Sequence, residues 1–68
     1  MNGTISLRAA RIDAGVTQRA AGEVAGVSAR TISAWEVGKT CPTGLQLLRL
    51  CEFYGRTLDE IRLPEKSR

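Results

Sequence analysis

An all-α fold of five short helices is what this 68-residue chain predicts, on three observations. No stretch alternates apolar and polar residues as a half-buried strand does. Apolar residues recur instead at helical spacing, and glycines fall where those runs stop. The length is that of one small domain, taken as residues 1–68, and only about 60% of the unfolded surface is buried at this size. Such a chain either packs its helices closely or leans on a partner subunit.

The first helix is expected from residue 4 or 6 to residue 14, with the hydroxyl of Thr4 or Ser6 as its cap and Gly15 ending it. Leu7, Ala10 and Ala14 form its inner stripe. Thr17 caps a second helix over 18–25, which Gly26 closes, and Val27 leads to Ser28, the next cap. The third helix covers 29–37 and turns Ile32 and Trp35 inward, with Ala29, Arg30, Ser33 and Ala34 largely outward until Gly38 stops it. Beyond a loop over 39–42, Thr43 caps a fourth helix that reaches Tyr54 before Gly55, its core stripe being Leu47, Leu50, Cys51 and Tyr54. Thr57 with Glu60 reads as the capping box of a last short helix ending near Leu63, where Pro64 follows, and residues 64–68 are expected to fray.

Residues 17–38 carry the functional signal. Two helices crossing through a tight turn need a small residue at the crossing, a glycine-like turn and apolar positions that lock the second helix. Gly22, Gly26 and the set Ala21, Ala25, Val27, Ile32 and Trp35 supply these. Glycine inside a helix costs about 0.5–1 kcal/mol relative to alanine, so Gly22 marks a close backbone approach. A helix-turn-helix built this way presents its second helix to the DNA major groove. The plainer alternative is a small helical bundle with a glycine-rich turn.

With those residues in view, the chain resembles the Cro/cI-type (xenobiotic-response-element type) helix-turn-helix family of bacterial and phage transcriptional regulators. The resemblance rests on Arg11 and Gly15, Thr17-Gln18, Gly26-Val27-Ser28, Thr31-Ile32-Ser33 and above all Trp35-Glu36 followed by Gly38-Lys39. Leu47, Leu50, Tyr54-Gly55 and the run from Thr57 to Ile61 resemble the family's closing helices. What the resemblance implies is a compact five-helix, lambda-repressor-like DNA-binding domain with the helix-turn-helix at helices two and three.

It further implies that Arg11 pairs with Glu36 to orient the helices, and that Thr17 and Gln18, at the start of helix two, meet a DNA phosphate at the positive helix end. Ser28, Lys39 and Thr40 are placed by the same resemblance for backbone contacts. Base reading falls to Ala29, Arg30, Ser33 and Ala34, among which only Arg30 has the two-pronged donor geometry that matches guanine. A phosphate contact is the alternative for Arg30, and a solvated first-turn position the alternative for Gln18. Relatives often carry longer polar side chains where this chain has Ala29 and Ala34, and an asparagine where it has Val37. Direct readout is therefore sparse, which leaves part of the specificity to DNA shape and half-site spacing.

The reading is a sequence-specific regulator of double-stranded DNA, a repressor acting as a homodimer on a palindromic operator. Leu45 and Leu48 on one side of helix four and Phe53 on the other are candidate dimer contacts, unless they simply finish the core. The rival is an antitoxin or accessory module whose helix-turn-helix surface serves a protein partner, kept open by Ala29 and Ala34.

Composition agrees. Ten Lys and Arg against seven Asp and Glu give a net charge of +3, and the pI near 9.4 suits a polyanion partner. The chain has no histidine, and Cys41 and Cys51 do not match zinc spacing or a cysteine–histidine nucleophile pair, so reduced thiols, no metal, no cofactor and no enzyme are expected. No apolar run spans a bilayer and no signal segment opens the chain, which points to a soluble intracellular protein; the resemblance implies a bacterial or phage-encoded protein of the host cytoplasm. Asn2-Gly3-Thr4 matches a glycosylation site by chance. Gly38-Lys39-Thr40 ends like a phosphate-binding loop, but Ser33 stands where the first glycine belongs and no strand precedes it.

Overall fold

The computed structural model of the protein describes residues 4–64. Its elements are β1 (Ile5–Ser6), α1 (Leu7–Asp13), α2 (Gln18–Ala25), α3 (Ala29–Val37), α4 (Gly44–Tyr54), a 3-10 turn (Leu58–Glu60) and β2 (Ile61–Arg62). A side-chain hydroxyl starts each α-helix by accepting an amide hydrogen bond three residues on. Ser6 accepts from Ala9 at 3.1 Å, Thr17 from Ala20 at 3.0 Å, Ser28 from Thr31 at 3.2 Å and Thr43 from Gln46 at 3.2 Å. Such a cap is worth about 1 kcal/mol. Of the two hydroxyls open for α1, Ser6 makes the cap.

Gly26 ends α2 at φ +77, a left-handed backbone in which a side chain would be strained, and this lets the chain double back into Ser28 within two residues. The inner stripe of α1 is Leu7 and Ala10, both fully buried. Ala14 is not part of it. That residue is the exposed C-cap, where the chain already leaves the helix axis toward Gly15.

The expected fifth helix does not form: the described residues hold four α-helices, and the segment after Thr57 is a single 3-10 turn followed by a strand. The expected capping box is present, with Glu60 accepting the Thr57 amide at 2.9 Å, and the Thr57 hydroxyl also donates to Asp59 at 2.6 Å, but the box heads only this three-residue turn. Ile61 then turns extended (φ −96, ψ 133) and pairs with Ile5, and Arg62 with Ser6, in a parallel two-stranded ladder. Parallel pairing joins the two ends of the described chain, and Ile5, Ile61 and Leu63 pack against the core where a continued helix would not place them. Residues 65–68 of the expected frayed tail, and Asn2 and Gly3 of the glycosylation pattern, lie outside the described residues.

Leu7, Ala10, Ala21, Ala25, Ile32, Trp35, Leu50 and Tyr54 form one core cluster drawn from all four helices. Leu7, Ile32 and Leu50 are completely buried, and burying a side chain of that size stabilises by about 1.5–3 kcal/mol. Cys51 is buried beside them, and burial, helped by the negative charge of Glu60, pushes its thiol pKa up; Cys41 is exposed, and both are free. The face of α2 toward the core is all small residues, Ala21, Gly22 and Ala25. A Cβ added at Gly22 would lie 2.5 Å from the Val27 carbonyl oxygen and 3.1 Å from the Ser28 carbonyl carbon, both rigid backbone.

Gly22→Ala is accordingly predicted to destabilise the fold by about 1–3 kcal/mol, the usual cost of overpacking, despite the better helix propensity of alanine. Urea unfolding checks this; equal or greater stability would mean that the crossing is not tight.

Candidate nucleic-acid interface

The inner side of α3 is fixed by Ile32 and Trp35, both buried. Arg30 lies nearly opposite them around the helix and is exposed. Its guanidinium takes no part in the two ion pairs among the described residues, Arg11–Glu36 and Arg56–Asp13. Ala29, Ser33 and Ala34 are half-buried at the flanks of that outward side. Arg30 is thus the one long polar side chain projecting from the first turn of α3.

Around the back of α3 a polar network ties three helices together. Arg11 Nε, on α1, donates to Glu36 Oε2 at 2.7 Å, and Arg11 Nη2 approaches Glu36 Oε1 at 3.4 Å. Gln18 Nε2, on α2, donates to the same Oε1 at 3.0 Å. Arg11 Nη1 donates to the Val16 carbonyl at 3.0 Å and so also holds the α1–α2 loop. The side chains of Arg11 and Glu36 are 12% and 1% exposed. A carboxylate this buried is tolerable only with its oxygens satisfied, and here they accept three hydrogen bonds.

Tyr54 of α4 lies in the electrostatic reach of this network. Its hydroxyl is buried without a hydrogen-bond partner. Burial, and next the negative charge of Glu36, push its pKa up to about 12 from 10.0.

Thr17 and Gln18 stand together at the start of α2, where the first amides have no intrahelical acceptor. The Thr17 hydroxyl is engaged with the Ala20 amide, and Gln18 is half-buried by its bond to Glu36, leaving its second N–H and its Oε1 outside that bond. Ser28 is exposed at the start of α3, its hydroxyl shared between the Thr31 amide and the Thr31 hydroxyl. Lys39 and Thr40 are exposed in the loop after α3, with the Lys39 amide bonded to the Ala34 carbonyl at 2.9 Å. The starts of α2 and α3 and the loop after α3 are therefore linked through one rigid crossing. On α4, Leu45, Leu48 and Phe53 are exposed, Leu45 to 59%, while Leu50, Cys51 and Tyr54 face inward.

Two features of this site escape sequence reasoning: the Gln18–Glu36 hydrogen bond, between residues eighteen positions apart, and the anchoring of the Val16 carbonyl by Arg11. Neither has a local signal. A glutamine in a first turn reads as a phosphate contact or a solvated residue, and its bond to a carboxylate shows only once the helix crossing is known.

Residues 7–61 match the Helix-turn-helix family model, and the chain belongs to that family, the Cro/cI type of DNA-binding transcription regulators. No curated protein and no solved structure matches it significantly. Among the described residues no helix is long and apolar enough to cross a membrane.

Arg11→Ala is predicted to cost about 3–5 kcal/mol in urea unfolding, because it leaves the Glu36 carboxylate buried and unpaired, whereas Arg11→Met with Glu36→Leu is predicted to be near neutral. Tolerance of the single change would mean that the carboxylate is solvated. A second prediction concerns pH. The folded state holds the Tyr54 proton more tightly than the unfolded state, so this contribution is complete below pH 10 and is lost as pH rises through 10 toward about 12. Tyr54→Phe should flatten that alkaline slope in melting curves and, by removing an unsatisfied hydroxyl, leave stability at neutral pH equal or higher.

Proposed function

We propose that the protein is a sequence-specific double-stranded-DNA-binding repressor that occupies a palindromic operator as a homodimer and obstructs polymerase. The observation that carries this reading is the division of α3, with Ile32 and Trp35 locked inside and Arg30 exposed and unpaired on the opposite side. Helix α3 enters the major groove, and Arg30 donates two hydrogen bonds to guanine O6 and N7. Ala29 and Ala34 offer apolar contact to thymine methyls, and Ser33 one adaptable hydrogen bond. Thr17 and Gln18 hold a phosphate at the start of α2, and Ser28, Lys39 and Thr40 hold the backbone on either side of α3. Nothing in these roles calls for catalysis or a cofactor.

Leu45, Leu48 and Phe53 make the dimer contact on α4, supported by the exposure of three large apolar side chains on one helix. Dimerisation sets the half-sites about one helical turn, roughly 34 Å, apart. The second reading is a module that docks a protein through α3; Val37, 63% exposed at the end of that helix, favours it.

Selection of duplexes from a random pool, followed by footprinting of the winner, tests the proposal: a symmetric footprint is expected. Arg30→Ala should cost about 1–3 kcal/mol at one base position and relax preference there, while Gln18→Ala should weaken all duplexes alike. The binding constant should fall with salt at a log–log slope of about −0.9 per phosphate neutralised. Failure to discriminate any duplex would favour the protein-docking reading, and equal losses on every sequence for Arg30→Ala would reassign it to the backbone.

A further inference from the structure

We infer that the buried Arg11–Glu36 pair is a positioning device for DNA contact as well as a brace between helices: Glu36 sets the direction of the Gln18 side-chain amide before DNA arrives. The inference rests on the proposed phosphate role of Gln18. Glu36 Oε1 accepts from Gln18 Nε2 at 3.0 Å. That oxygen is itself held, because Arg11 binds the same carboxylate at 2.7 and 3.4 Å and is fixed in turn by the Val16 carbonyl at 3.0 Å. The amide plane of Gln18 is therefore set by a chain of contacts running through α1, α3 and the α1–α2 loop.

A free glutamine samples several rotamers and both amide orientations. Here one N–H is committed to Glu36, which leaves the other N–H on the same nitrogen as the donor for a phosphate at the start of α2. The rotamer freedom of this long side chain is then lost on folding and not on binding, which raises affinity without any additional contact to DNA. Arg11 and Glu36 touch no nucleic acid in this scheme. They act through Gln18.

The test uses the duplex selected from the random pool, with each phosphate replaced in turn by an uncharged methylphosphonate. The wild-type protein should lose about tenfold in affinity at the phosphate that Gln18 holds, the equivalent of one charge-assisted hydrogen bond. Gln18→Ala should lose most of that sensitivity, keeping only the share that Thr17 and the first α2 amides hold. If Gln18→Ala keeps the wild-type profile, the phosphate role itself fails. If Gln18→Ala reduces the sensitivity, the paired variant Arg11→Met with Glu36→Leu decides: once shown folded by circular dichroism and melting, it should be reduced to the same extent, and Gln18→Ala added to it should have no further effect. Retained sensitivity in the paired variant overturns the inference. Should that variant fail to fold, the free wild-type protein supplies the decision by NMR. The Gln18 side-chain amide should show an order parameter close to that of the rigid backbone, and a value typical of a mobile surface glutamine overturns the inference.

Discussion

Glu36 sits almost wholly out of water at the end of α3, and its charge is acceptable there only because Arg11 and Gln18 reach it from two other helices. Each partner lies on a different element, so the carboxylate cannot be satisfied unless α1, α2 and α3 are mutually placed. A buried ion pair of this kind contributes little net stability compared with an apolar replacement, but its hydrogen bonds are directional where apolar packing is not. What it adds to the fold is geometry: the axial position of α3 relative to the start of α2.

Beneath that polar link the core works by closeness. Ala10, Ala21, Gly22 and Ala25 let α1 and α2 approach their neighbours, and the Gly22 crossing admits no Cβ against the Val27 carbonyl. Large side chains are few, with Trp35 and Ile32 providing the anchor of α3. A chain of this size gains from such economy, since small residues bring backbones together without demanding volume that a 68-residue core cannot enclose. The consequence falls on the outward side. With α3 pinned from behind, its outward side carries one long polar side chain, Arg30, between alanines and a serine.

The helices were legible in the sequence because their ends are marked by local chemistry. Ser6, Thr17, Ser28 and Thr43 are hydroxyls at the heads of helical runs, and Gly26, Gly38 and Gly55 stand at their tails in left-handed backbone. The apolar stripes of α3 and α4 followed from periodicity alone. The last segment misled because its Thr57/Glu60 signal is compatible with helix over a few residues, while the pairing of Ile61 with Ile5 depends on residues at the far end of the described chain. Two-residue strands are too short for alternation to be seen. Ala14 misled in a smaller way: it keeps the helical spacing of the stripe but falls on the turn that ends α1.

Of the site, Arg30 and its outward position follow from helical geometry, and the Arg11–Glu36 partnership was implied only through resemblance to a family. By itself the sequence determined which segments are helices, where they stop, and that residues 17–38 make a helix-turn-helix, since caps, glycines and periodicity act over four residues or fewer. Tertiary structure alone decided that Gln18 shares a carboxylate with Arg11, that Tyr54 is left with an unpartnered hydroxyl, and that the ends of the described chain join in a strand pair. Those outcomes depend on distances between residues far apart in the chain, which no local rule encodes and only the packing of the helices fixes.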